Sequence, residues 1–260
     1  IVVGDGCTDD SAAVVESIDD ERVRWIGLEH NSGHQSVPNN YGIDQARGRY
    51  IAYIGHDDLW LPRHLAHCCE VLKAGADLVY GLTLVASEVD DSHFIGPNVM
   101  PYKAGAAITP SSVVHSKAAV DATGNWPHYS TTPRVPEADL WQRFMDAGLR
   151  MEMAPMLAVV KIPAAQRKDV YKQRSTGEQS AWLERIRNEP DFEARELARS
   201  YVKMRSLARG QIGKIPYRLI LRHFMRETLH RVGRRLREPR LRRRPIIEQY
   251  RQYKGLKPKP

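Results

Sequence analysis

The chain has 260 residues, 42% hydrophobic and 27% charged, with 18 Gly and 16 Pro. That length holds one large domain or two small ones, and the composition excludes collagen-like, disordered and disulfide-scaffold proteins. Net charge is +8 but unevenly placed: residues 201–260 carry 19 Lys and Arg against three acids, a balance of +16, which leaves −8 on residues 1–200. An acidic body with a basic tail points the tail at something anionic, whether phospholipid, nucleic acid or an acidic partner. No apolar run approaches the ~18 residues of a membrane-spanning helix. Cys7 and the neighbours Cys68 and Cys69 make a poor disulfide set and favour a reducing compartment. The expected location is therefore cytoplasmic, peripheral at the cytoplasmic face of a membrane. The sequence opens at Ile1 inside a strand pattern, so a preceding segment is expected.

Ile1–Val3 is a short β-branched run ending on the turn Gly4-Asp5-Gly6. Ser11 then caps a helical segment with Ala12, Val15 and Ile18 in register. Val23–Leu28 reads as the second strand and Asn31–Pro38 as a polar loop. Tyr41–Arg47 reads as a short helix closed by Gly48, and Tyr50–Ile54 as the third strand, running into Gly55-His56-Asp57-Asp58. Pro62 opens a helix to about Lys73, and Asp77–Leu82 is the fourth strand. This alternation predicts an α/β fold with a mostly parallel sheet flanked by helices. Residues 89–110 read as a loop or lid, and Gly124–Pro136, with three prolines, as another loop. Glu137–Ala147 reads as a helix, Met151–Val160 as a strand, and the pattern from about Ala164 is helical to the end.

The expected division is a first domain over 1–162, a helical extension over 163–210, and a basic amphipathic helix and tail over 211–260. From Pro216, the residues Tyr217, Leu221, Phe224, Val232 and Leu236 recur at helical steps, with Arg218, Arg222, Arg226 and Arg231 largely on other faces. Such a helix suits an anionic membrane interface. It equally suits packing of its apolar face on the body, and both readings stand.

In an open α/β sheet, ligands sit at the carboxyl ends of parallel strands. Asp5 follows the first strand, and Asp57 and Asp58 follow the third. Carboxylates straight after buried strands need solvent, hydrogen bonds or a metal. Asp57 and Asp58 suit a divalent cation that bridges to a diphosphate, and Asp5 suits the ring N–H of a uracil. The plainer alternatives are a turn for Asp5-Gly6 and a helix-capping cluster for Asp57-Asp58. Glu137, in the first turn of its helix, has the dipole's partial positive charge to favour its ionised form. Asp139 is the competing choice, and dipole matching alone also explains a first-turn Glu.

The order of these motifs is similar to family 2 glycosyltransferases, which have the GT-A fold. Val2-Val3-Gly4-Asp5-Gly6-Cys7-Thr8-Asp9-Asp10-Ser11 resembles their V-V-D-D-G-S-T-D-D-S stretch. Asn31-Ser32-Gly33, Asn40-Tyr41-Gly42 and Ala46-Arg47-Gly48-Arg49-Tyr50-Ile51-Ala52 resemble N-x-G, N-x-G and A-x-G-x-Y-I-A. Gly55-His56-Asp57-Asp58-Leu59-Trp60-Leu61-Pro62 resembles D-x-D-D-x-W-x-P, and Pro136 to Arg143 resembles the E-D-x-D-L-W-x-R helix. The resemblance runs over residues 1–143 and fades after about 162. It implies an inverting, metal-dependent transfer of a sugar from a nucleoside-diphosphate donor, UDP-sugar first, to a glycan, lipid or protein hydroxyl. It implies Glu137 as general base, with Asp139 its alternative. Asp5, Gly6, Asn40, Gly42 and Asp57 are implied at the nucleotide-sugar. Asp57 and Asp58 are implied at a Mg²⁺ or Mn²⁺ ion, Asp58 as the better ligand.

Gly4 and Gly55 stand where the family usually has Asp, Glu137 replaces the more frequent Asp, and the loop Gly33–Asn40 is one residue longer than usual. The family's first strand and helix are expected to be absent from this sequence. These departures keep open a catalytically impaired binding protein. A dinucleotide oxidoreductase is rejected because Asp9 stands where the third small residue of the fingerprint is required. Nucleic-acid binding through the tail finds no aromatic-basic interleaving in the body to support it.

Among the remaining candidates, His34, His56 and His64 read as surface or loop histidines, and Cys7 as a small filler. Trp60 and Trp141 read as packing residues, Trp126 as a platform for an acceptor. Thr109-Pro110-Ser111-Ser112 reads as a helix cap, with lining of the acceptor pocket as its alternative.

Overall fold

The structure is a computed structural model that describes residues 1–86, 92–95, 108–132, 134–162 and 176–212, with backbone alone for 92–95 and 203–212. Two compact units divide the chain: Ile1–Ala86 with Phe94–Ile162, and Ser87–His93 with Pro163–Pro260.

In the first unit β1 (Val2–Asp5) pairs in parallel with β2 (Trp25–Leu28), joined through α1 (Ser11–Glu16). Ser11 is the first helical residue and not the cap; the Asp9 carboxylate accepts its N–H at 3.1 Å and its hydroxyl at 2.6 Å. Helix α2 (Ser36–Gln45) starts five residues earlier than the sequence pattern suggests. Pro38 falls in its first turn, where backbone N–H groups have no intrahelical partner, so proline does no damage there. β3 (Tyr50–Ala52), β4 (Leu59–Trp60), α3 (His64–Lys73) and β5 (Leu78–Ala86) follow. Ser92–Ile95 forms a short strand, β6, inside the segment expected to be loop or lid; most of that segment lies outside the described residues. A 3₁₀ turn (Pro110–Ser112) leads into β7 (Val113–Ser116) and α4 (Lys117–Thr123), and α5 (Pro136–Asp146) precedes the long β8 (Met151–Lys161).

Five strands of the main sheet run in the order β3-β7-β5-β8-β4. The α/β class is as expected, but the sheet is mixed and not mostly parallel. β5 and β8 are parallel, whereas β7 runs antiparallel to both β3 and β5, and β4 antiparallel to β8. The reason is β7, a four-residue strand that enters between β3 and β5 in the reverse direction, together with β4, which runs against β8.

β5 is buried along nearly its whole length, and its alternation feeds two cores. Leu78 and Tyr80 join Ile43, Ile51, Leu140, Trp141 and Phe144 on the face covered by α2, α4 and α5. Val79 joins Cys68, Leu72 and Met156 on the face covered by α3. The sheet is thus clamped from both sides, which fixes the rim where β3 and β8 end; β1 and β2 form a separate two-stranded sheet.

In the second unit α6 (Gly177–Asn188) and α7 (Phe192–Ile212) enclose Trp182, fully buried and edge-on to Phe192 at 6.2 Å. The Arg185 guanidinium lies 4.5 Å over the Trp182 ring and bonds Glu189 and the buried Glu196, each at 2.6 Å. The expected basic helix from Pro216 and the Arg-rich end lie outside the described residues. Among the described residues no helix is long and apolar enough to cross a membrane.

Candidate active site

Asp5 ends β1 and is half-buried. Its two carboxylate oxygens accept the Ser32 N–H and hydroxyl, each at 2.8 Å, and its carbonyl accepts the Asn31 amide at 2.8 Å. Each carboxylate oxygen has about two lone-pair sites, so Ser32 aims Asp5 and leaves it acceptor capacity. Gly6 has φ 67°, and a Cβ there would fall 2.2 Å from the Asn31 nitrogen. Only glycine lets this turn close on the 30–32 loop. At Gly4 a Cβ would sit 2.3 Å from the Trp25 ring, so the indole fills the volume that the family's usual aspartate would need.

The turn after β3 divides its two acids. Asp58 is 5% exposed. Its Oδ2 accepts the Ser111 hydroxyl at 2.5 Å and the Lys161 ammonium at 3.1 Å; its Oδ1 accepts the Ile162 N–H at 3.3 Å and Lys161 at 3.4 Å. These four bonds fill a carboxylate's roughly four lone-pair sites. Asp58, expected as the better metal ligand, anchors this turn to the 3₁₀ turn before β7 and to the end of β8. None of these bonds falls on Asp57, which is half-buried. Ser111 also accepts the Gly55 N–H at 3.1 Å, and its carbonyl takes the Trp60 indole N–H at 2.8 Å. It buttresses the acidic turn and caps no α-helix.

Glu137 follows Pro136 in the first turn of α5 and accepts the Gln35 side-chain amide at 3.3 Å. Burial lifts its carboxyl above the ordinary value, against the opposing pull of its own N–H, Gln35 and Lys161. The helix start was expected to favour the ionised form, and desolvation outweighs it. Asp139 serves the scaffold instead. It accepts Thr132 at 3.1 Å and Arg143 at 3.3 Å, and Arg143 donates onward to the carbonyls of Thr123, Gly124 and Asn125. That network closes the end of α4.

One loop therefore joins two of the acids. Ser32 holds Asp5, Gln35 in the same loop holds Glu137, and Lys161 bonds Asp58. Asn40 and Gly42 are both on α2. The Asn40 amide exchanges two hydrogen bonds with the Trp126 backbone, at 2.9 and 3.0 Å, and a Cβ at Gly42 would meet Val3 at 3.6 Å.

Trp126, read as an acceptor platform, is 3% exposed and edge-on to Tyr53 and Trp141 in the core. His64, read as a surface residue, is fully buried and pushed down to about 4 by desolvation. Cys7, Cys68 and Cys69 are free thiols.

Lys161 and Gln35 were not anticipated, and Ser111 was expected as part of a helix cap or of an acceptor pocket. Lys161 had a signal: it ends an otherwise apolar strand, the criterion that singled out Asp5 and Asp57. Gln35 reaches the site from another element and had none.

A divalent cation fits this site through Asp57. Among the described residues there is no group of three or more His, Cys, Asp or Glu arranged to hold a metal, and Asp58 is occupied. Magnesium, however, is commonly held by one or two carboxylates together with substrate phosphates and water, and Asp57 suits that mode.

A mixed α/β sheet flanked by helices on both faces is the arrangement of the GT-A glycosyltransferase fold. Residues 1–119 match the family described as Glycosyl transferase family 2. The succinoglycan biosynthesis protein ExoO of Rhizobium meliloti is 42% identical over 71 residues, 27% of this chain and 20% of that protein. The GalNAc(5)-diNAcBac-PP-undecaprenol beta-1,3-glucosyltransferase of Campylobacter jejuni is 30% identical over 93 residues, 34% of this chain and 29% of that protein. The chain thus spans less than a third of the length of these relatives. The crystal structure of S. aureus TarS 1-349 in complex with UDP-GlcNAc superposes with a TM-score of 0.53 at 15% identity, over 67% of this chain and 51% of that one. This likeness concerns the fold.

Proposed function

We propose that this protein transfers a sugar, with inversion, from a nucleoside-diphosphate donor to an acceptor hydroxyl, UDP-sugar being the first choice. The observation that carries the reading is that the 31–35 loop joins both acids: Ser32 bonds Asp5 at 2.8 Å and Gln35 bonds Glu137 at 3.3 Å. The UDP and UDP-GlcNAc complexes of the structurally similar TarS support the choice of donor.

In this reading Asp5, steadied by Ser32, accepts the N–H of the base. Glu137 takes the proton of the acceptor hydroxyl as its oxygen attacks C1 of the sugar on the face opposite the diphosphate, and the C1–O bond to the diphosphate breaks. Burial makes Glu137 a stronger base than a solvated carboxylate. Asp57 would hold a Mg²⁺ or Mn²⁺ ion, which when bound neutralises charge on the departing diphosphate. The basic C-terminal segment meets an anionic surface near which the acceptor resides.

The test is thermal melting with UDP, GDP and CDP, with and without Mn²⁺, followed by assay of UDP-sugar turnover. A ligand that binds the folded state raises the midpoint. A raised midpoint with turnover supports the reading; no shift with any nucleotide removes it.

A further inference from the structure

Lys161 is the last residue of β8, between Val160 and Ile162, which are 0% and 1% exposed. Its side chain is 29% exposed and its ammonium donates to both oxygens of Asp58, at 3.1 and 3.4 Å. The buried neighbours hold the backbone here, and the two bonds to Asp58 hold the ammonium at the acidic turn. Asp58 also accepts the Ser111 hydroxyl and the Ile162 N–H, so it is held in place independently of the lysine. An ammonium carries three N–H donors, and Asp58 takes no more than two.

The opposite side of the turn adds a second observation. A Cβ at Gly55 would lie 3.1 Å from Asp57 Oδ1 and 3.1 Å from Asp58 Oδ2. The two carboxylates flank this position closely, and a third acid at 55 would crowd both. The turn therefore has two acids and a lysine among them, and it repels a polyanion less than a turn of three acids does.

We propose that Lys161 is a diphosphate-binding residue, held in place by Asp58, and that part of the affinity for the donor's diphosphate is independent of any divalent cation. This rests on the glycosyltransferase reading, and it names a protein-borne cation at that same site. Asp58 is then a positioning residue for Lys161.

The test is calorimetric titration of the full chain with UDP and with UMP, each in EDTA and in Mn²⁺, for the wild type, Lys161→Met and Lys161→Arg. Far-UV circular dichroism checks folding, and Lys161→Gln carries the test if the methionine variant does not fold. The wild type is expected to bind UDP in EDTA, and Lys161→Met to lose that affinity tenfold or more while losing far less for UMP. Lys161→Arg is expected to retain it. The inference is overturned if the wild type binds UDP only with Mn²⁺. It also fails if Lys161→Met matches the wild type in EDTA, or if UDP and UMP weaken alike, which would give Lys161 a purely structural role. In these cases the glycosyltransferase reading stands. Absence of UDP binding under every condition would end both.

Discussion

At the residue scale, neighbouring acids divide between structure and chemistry according to what surrounds them. Asp58 is enclosed by four hydrogen bonds and Asp57 by none of them, although they are adjacent in sequence. Asp58→Ala leaves the part-buried Lys161 ammonium and Ser111 without their acceptor. It is expected to lower unfolding free energy by about 3 kcal/mol, the low end for a broken buried pair because Lys161 keeps some solvent; urea unfolding measures it. Asp57→Asn is expected to leave the urea midpoint nearly unchanged and to reduce the effect of Mn²⁺ on UDP affinity. Glu137→Gln is expected to reduce turnover by roughly 10²–10⁴-fold, the usual worth of a general base, with UDP affinity preserved. Glu137 works ionised, and burial raises its carboxyl above the ordinary value. The acid limb of kcat/KM should therefore lie at higher pH than a solvated carboxylate would set, and a limb at or below the ordinary carboxylate range would contradict the assignment.

At the element scale, the sheet's buried polar pair sets an acid limit on stability. The His115 Nδ1–H donates to the Ser116 carbonyl at 2.7 Å, so its Nε2 accepts the Tyr53 hydroxyl at 2.7 Å. Burial holds His115 at about 4, below its ordinary 6.5. The folded state keeps the ring neutral and the unfolded chain protonates it first. The stability from this term is complete above about pH 6.5 and is lost as pH falls toward 4. His64 acts with the same sign, and Glu137, raised by burial, acts with the opposite one. Urea midpoints at pH 7 and 4.5 should differ accordingly, and His115→Gln should flatten the difference; an equally steep slope in that variant would exclude His115 as the source. Helix α5 is fastened by Trp141, fully buried against Trp126 and Phe144. Trp141→Ala is expected to cost about 3–5 kcal/mol, as large aromatic truncations in cores do.

At the scale of the whole molecule, acid and base are segregated along the chain: the first 200 residues carry a net −8 and the last 60 a net +16. If that end meets an anionic membrane, the full chain should sediment with vesicles containing phosphatidylserine and not with phosphatidylcholine vesicles, and should be released as salt rises. Sedimentation with both, or with neither, would assign the basic end to another partner.

Much of the first unit was legible in the residues themselves. β1, β3, α5 and β8 announce themselves by β-branched runs, turn residues and a proline at a helix start, all local properties of the chain. The acids at the strand ends were legible for the same reason, since a charged residue directly after an apolar strand has to sit at a rim. Three things were decided only by packing. The direction of β7 depends on which strands flank it, and four residues hold no record of that. The different work of Asp57 and Asp58 depends on Ser111 and on Lys161 and Ile162, 53, 103 and 104 residues further along the chain. The basicity of Glu137 depends on burial, which its helix position alone does not reveal. A sequence specifies which groups can ionise and which segments extend or coil; how far each charge is removed from water, and which donors reach it, follows only once distant elements close around it.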